Sequence, residues 1–143
     1  MIHFSVPGPP KALQRARVGR VGQHARMYDP EANTTNKATV GWYAKQAMKD
    51  RPLLEGPLKL DIVCYIQRPK SKTRKNPRAN RMLVPDTKPD WDNLGKMVSD
   101  ALSGIVYADD RQIIDGRVRK EYADTGSPRT EVEILTMTST GWE

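Results

Sequence analysis

The chain has 143 residues, enough for one domain that buries roughly 70% of its unfolded surface without a disulfide framework or a structural zinc. Its hydrophobic fraction is only 37% and its net charge is +7, from 24 Lys and Arg against 17 Asp and Glu, a balance that favours phosphate-rich partners. No run approaches the ~20 apolar residues of a membrane span, residues 1–7 lack a signal-peptide layout, and a single Cys excludes an intrachain disulfide, which suits the reducing cytoplasm.

Residues 2–6 alternate as a short strand, stopped by Pro7, Gly8, Pro9 and Pro10. From Met1 to Tyr28 there is no Asp or Glu, but there are Lys11, Arg15, Arg17, Arg20 and Arg26. Gly19 and Gly22 predict either a turn between two short basic strands or an irregular basic arm over about 11–28. In either form Arg15, Arg17 and Arg20 are candidate DNA contacts.

Residues 31–49 are a predicted helix, with Asp29 as its cap and Pro30 in its first position. Its apolar stripe is rough: Ala38, Trp42, Ala44, Ala47 and Met48. Residues 58–67 are the clearest strand, with Leu58, Leu60, Ile62, Cys64 and Ile66 on one face and Lys59, Asp61, Val63 and Tyr65 on the other. A central or next-to-central place in a sheet is expected. Cys64 reads there as a small buried hydrophobe, not a nucleophile.

Residues 68–81 hold seven cations and no acid. With Pro69 and Pro77 and no apolar period, this is a predicted loop. It is either simply solvated or in contact with nucleic acid. On the second reading Arg68, Lys70, Lys72, Arg74, Lys75 and Arg78 are candidate DNA contacts.

Residues 92–103 are the best helix. Leu94, Met97, Val98, Ala101 and Leu102 follow the helical spacing, and Gly104 closes the end. Residues 105–108 are expected to form a short strand, and 112–122 with 129–137 a hairpin around residues 124–128. The tail frays unless Trp142 docks. This order predicts an α+β fold: a single two-layer domain with two main helices against a mixed sheet.

The chemistry concentrates in Lys88-Pro89-Asp90-Trp91-Asp92-Asn93-Leu94-Gly95-Lys96. On an extended chain, Asp90 and Asp92 point the same way. Two adjacent carboxylates repel unless exposed, partly protonated or bridged by a cation. Hard oxygen ligands without a His or Cys cluster point to Mg²⁺ or Mn²⁺, not zinc. Asp92 has a rival role as helix cap. Lys96 lies one turn on, above Asp92. It can stabilise charge on a phosphoryl group in the transition state or help the leaving oxygen depart; otherwise it is an ordinary ion-pair partner of Asp92 or Asp100. Downstream, Asp109 and Asp110 are either a turn or a source of a third carboxylate, and spacing does not choose between them. A metal-bound carboxylate set suits phosphodiester hydrolysis. His3 and His24 are not at metal-ligand spacing, and the Gly-Lys-Ser/Thr element of a phosphate loop is absent.

The run PDWDNLGKMVSDALSGIVYADDRQI resembles the core of the RusA family of Holliday junction resolvases. That family's pattern is Asp-x-Asp-Asn-Leu-x-Lys, a helix ending near Asp-Ala-Leu, then Asp-Asp and a strand. The opening Val6-Pro7-Gly8-Pro9-Pro10 resembles the Pro-rich start of its phage-type members. The resemblance implies catalytic, metal-binding carboxylates at Asp90, Asp92 and Asp110, with the family's lysine at Lys96. It also implies Mg²⁺ as cofactor, with Mn²⁺ substituting, a homodimer, and paired nicks across a four-way junction in recombination and repair. A less selective branched-DNA or single-strand nuclease and a non-catalytic DNA-binding protein are the alternatives.

Overall fold

A computed structural model describes residues 1–69 and 84–143. Lys70, Lys72, Arg74, Lys75 and Arg78 therefore lie outside the described residues. In chain order the elements are β1 (Ile2–Pro7), β2 (Arg17–Val21), β3 (His24–Tyr28), α1 (Glu31–Met48), β4 (Leu58–Ile66), α2 (Trp91–Leu102), β5 (Ile113–Tyr122), β6 (Arg129–Thr138) and β7 (Gly141–Trp142). The main sheet runs β1-β6-β4-β5, and β7 pairs with β6. β1 and β4 are antiparallel to β6, while β5 is parallel to β4, so the sheet is mixed. The two helices and this sheet form the α+β domain that the element order predicts.

β4 anchors the sheet because its alternation is the strongest. Leu58, Leu60, Ile62 and Cys64 meet Phe4, Val132 and Ile134 in one buried cluster with Val40, Ala44 and Met48 of α1 and Leu94, Val98 and Leu102 of α2. Burying each such large side chain contributes about 1.5–3 kcal/mol. Burial also pushes the Cys64 thiol up to about 11, in keeping with its reading as a core residue. Gly41 lets α1 lie against the turn that follows α2: a Cβ there would come within 2.8 Å of Ile105 Cδ1. No helix among the described residues is long and apolar enough to cross a membrane.

Several local expectations change in three dimensions. The buried face of α1 is Asn33, Val40, Gly41, Ala44 and Met48, whereas Ala38 and Trp42 are exposed. Ala38 and Trp42 share a helical face with each other, and the glycine-marked face is the one that admits α2. Pro30, not Asp29, occupies the N-cap position of α1. Residues 104–106 are a turn, not a strand; Tyr107 makes only isolated bridges to Leu54 and Ser103.

The largest correction concerns β5 and β6, which do not form a hairpin. β4 lies between them. Both edges of β4 demand a partner, and the connector 123–128 is long enough to step about 10 Å across its end, twice the ordinary strand spacing. Ala123 N–H donates to Ile66 O at the end of β4 on this crossing. The C-terminal tail does dock, with Met137 opposite Trp142.

Candidate active site and metal centre

The segment singled out in the sequence becomes the start of α2. Asp90 is the N-cap residue, extended at φ −71°, ψ 136°, and Asp92 lies in the first turn. The capping role weighed for Asp92 therefore passes to Asp90, whose carbonyl accepts from Leu94 N–H while its carboxylate makes no cap hydrogen bond. Strand alternation is not what brings the acids together, since Asp92 is helical. They meet because both line one open cleft of about 410 Å³ with Asp29, Asn93, Lys96 and the backbone strap around Leu13 to Ala16.

That strap is held from both sides. Leu13 N–H donates to Asn93 O at 2.9 Å. The Asn33 side chain, with no exposed surface, accepts from Gln14 N–H at 2.8 Å and donates to Gln14 O at 2.9 Å. It also donates to Asp29 Oδ1 at 2.6 Å. A buried amide needs its partners to be tolerated, and here they tie the strap to α1 and orient Asp29. Asn33 and Asp29 were invisible as site residues in the sequence. Asp29 reads in the sequence only as a helix cap, and the i, i+4 spacing that lets Asn33 reach it is the one local signal of the pair.

A larger cleft of about 870 Å³ shares Leu13, Gln14, Arg15, Asp90 and Asn93 with the first. Lys11, Arg15, Arg17 and Lys88 line it. The two form a continuous groove with carboxylates and Lys96 at one end and cations along the other. Among the described residues, Asp90, Asp92, Lys96, Lys11, Arg15 and Lys88 make no ion pair. Asp100 pairs instead with Lys37 of α1, at 3.8 Å.

Asp109 and Asp110 separate in role. Asp109 caps the short 3-10 turn Asp110–Gln112, accepting from Arg111 N–H at 2.9 Å in a reciprocal box with Gln112. That backbone hydrogen bond holds its carboxyl below the usual carboxylate range. Asp110 is exposed in another groove, of about 320 Å³, lined also by Trp91, Gly95, Ser99 and Arg117. The structure does not bring Asp110 into the cleft of Asp90 and Asp92. Trp91 is part of its wall: 58% exposed, the indole is fixed by an Nε1–H bond to Val118 O at 2.7 Å. Gly95 allows that proximity, since a Cβ there would meet Val118 Cγ2 at 2.9 Å.

Of the remaining predicted contacts, Arg15 and Arg17 lie on the groove and Arg20 lies on β2 beyond it. Arg68 turns inward. Its guanidinium forks onto Asp124 at 2.8 and 2.7 Å and stacks 4.2 Å over Tyr122, leaving the side chain only 8% exposed. That pair raises its already high pKa. Arg68 thus ties β4's end to the connector after β5 and is not a surface charge.

Among the described residues no three acidic, His or Cys side chains converge as a closed metal cage would require. Mg²⁺ does not require one: it keeps several waters and takes one or two carboxylates plus substrate phosphate. Asp90 and Asp92 are exposed in an open cleft, and among the described residues their carboxylates make no hydrogen bond, which fits such an ion. His and Cys, which would favour zinc, are absent from this cleft.

Residues 7–135 match the sequence pattern of the family described as endodeoxyribonuclease RusA. The chain is also 36% identical over 137 residues to the uncharacterized protein YqaN of Bacillus subtilis (strain 168), an overlap covering 93% of this chain and 94% of that one.

Proposed function

The chain belongs to the RusA endodeoxyribonuclease family, and on that premise we propose that it is a Mg²⁺-dependent resolvase that cuts four-way DNA junctions by paired nicks. The observation that carries this reading is the groove in which the carboxylates of Asp90 and Asp92, together with Lys96, open onto a track of cations.

Asp90 and Asp92 would hold the divalent ion. When bound, it supplies Lewis acidity, making a water more acidic and cancelling charge on the phosphoryl oxygens. Lys96 offers an ammonium in the same cleft, one helical turn from Asp92, to stabilise the charge that builds on the phosphate or to protonate the leaving oxygen. Lys11, Arg15, Arg17 and Lys88 hold backbone phosphates leading to the site; such contacts position DNA without reading its sequence. Asp29, oriented by Asn33, adds a fixed negative charge beside the pair. Asp110 enters on the family pattern and acts from the neighbouring groove, which it lines with Trp91, Gly95 and Ser99 of α2.

One such groove per chain accounts for one nick. Symmetric incision calls for two, which a two-fold homodimer provides. The setting is DNA recombination and repair in the cytoplasm. The test is incubation of a labelled four-way junction with protein and Mg²⁺ or Mn²⁺, beside linear duplex and flap controls. Selective, paired cutting of the junction is expected. Equal cutting of duplex would reduce the protein to a general nuclease, and tight salt-sensitive binding without cutting would make it a binding protein.

A further inference from the structure

Among the described residues β2 and β3 pair only with each other, as a two-stranded ribbon outside the main sheet. Nine of the ten ribbon positions are exposed, the exception being Gly19. Gly22, at φ +65°, opens the two-residue turn at the tip, the place where a type II′ turn takes glycine. An isolated two-stranded ribbon is marginal in water, so a partner that covers it would stabilise it.

Its register sorts the side chains. Directly opposed residues share a face. Arg17 opposite Tyr28, Gly19 opposite Arg26 and Val21 opposite His24 make one face. Val18 opposite Met27 and Arg20 opposite Ala25 make the other. Apart from Val21 at the tip, the side chains of the first face are polar, two of them arginines, and its Tyr28 ring lies against Gly19. It is continuous with the proposed catalytic groove, because Arg17 at its root also lines the cleft that reaches Asp90. No Asp or Glu occurs before Asp29 to oppose an approaching polyanion.

We propose that this ribbon lies in the major groove of a duplex arm of the bound DNA, with the Arg17, Arg26, His24 and Tyr28 face toward the nucleic acid. The major groove is wide enough for a two-stranded ribbon, and charge complementarity favours DNA over a second protein chain. The inference rests on the nuclease reading only in taking DNA as the partner. The active cleft would then engage the strand to be cut while the ribbon holds the arm that leads into it.

The test is binding of a labelled linear duplex and a labelled four-way junction, in EDTA, over a salt series. Arg26→Ala is expected to weaken both by about 5–20-fold near physiological salt and to reduce the slope of log affinity against log salt by about 1. An unchanged melting temperature would show that the fold is intact, since the ribbon lies off the core. Wild-type affinity and slope in Arg26→Ala would overturn the proposal. So would loss of dimerisation on Met27→Ser with DNA affinity unchanged, which would make the ribbon a subunit contact. If the wild-type protein cuts no DNA but Arg26→Ala still loses duplex affinity, the ribbon proposal stands and the resolvase reading falls. If the wild type resolves junctions while Arg26→Ala binds normally, the reverse holds.

Discussion

The two ends of α2 carry similar residue types in opposite conditions. At its N-terminus Asp90, Asp92 and Lys96 are exposed and form no ion pair among the described residues. Toward its C-terminus the polar groups are engaged: Asp100 pairs with Lys37, Tyr107 O–H donates to Ser99 O at 2.7 Å, and Asp109 caps the turn that follows. The contrast separates a site from its scaffold. Charges that stabilise a fold find partners within it, whereas charges kept beside one another in an open cleft await partners from outside.

The strongest way to break that contrast is at the open end. Asp90→Asn and Asp92→Asn are each expected to lower junction cleavage by about 100-fold or more, with junction affinity and melting temperature retained. Loss of folding with activity would place them in the scaffold. Asp110→Asn sharpens the comparison. Cleavage should fall as far, but Mn²⁺ affinity, measured calorimetrically, should fall less than in Asp90→Asn because Asp110 lines a different groove. Equal loss of metal affinity would mean that the two grooves join around the ion.

At the scaffold end, Leu102→Ala removes a side chain with no exposed surface and should destabilise by about 2–5 kcal/mol in urea unfolding. Tyr107→Phe should cost only about 1 kcal/mol, through the lost bond to Ser99, and leave cleavage per folded molecule unchanged. A reduced turnover there would show the scaffold end taking part in the site.

The smallest effect is a pH dependence. Burial raises the Cys64 thiol from 9.0 to about 11. Its contribution is therefore fully present below pH 9 and is lost as pH rises from 9 to about 11, where the unfolded chain ionises first. Between pH 9 and 11 the melting temperature of Cys64→Ala should fall less steeply than that of the wild type. Parallel slopes would argue that the thiol is not held neutral by the core.

How much of this was legible from the chain alone depends on the range of the interaction. The α2 pattern, the β4 alternation, the acid-free N-terminal segment and the Asp90, Asp92, Lys96 spacing were all readable, because caps, helical periods and strand alternation act over a few residues. The ribbon was one of two local options, and Gly22 in its turn allows the closed form. The strand 105–108 was misread because Val106 and Tyr107 are apolar for burial beneath a turn and not for pairing.

Sequence by itself determined that the chain folds as an α+β domain and that two carboxylates and a lysine gather at one helix start. Tertiary structure decided what surrounds them. β4 took β5 and β6 on opposite edges, because a strand buried across its width must satisfy the hydrogen bonds of both edges. Asn33 joined the strap to Asp29, Arg68 was drawn onto Asp124, and Asp110 went to a separate groove. Each depends on packing between segments far apart in the chain, which local spacing does not encode.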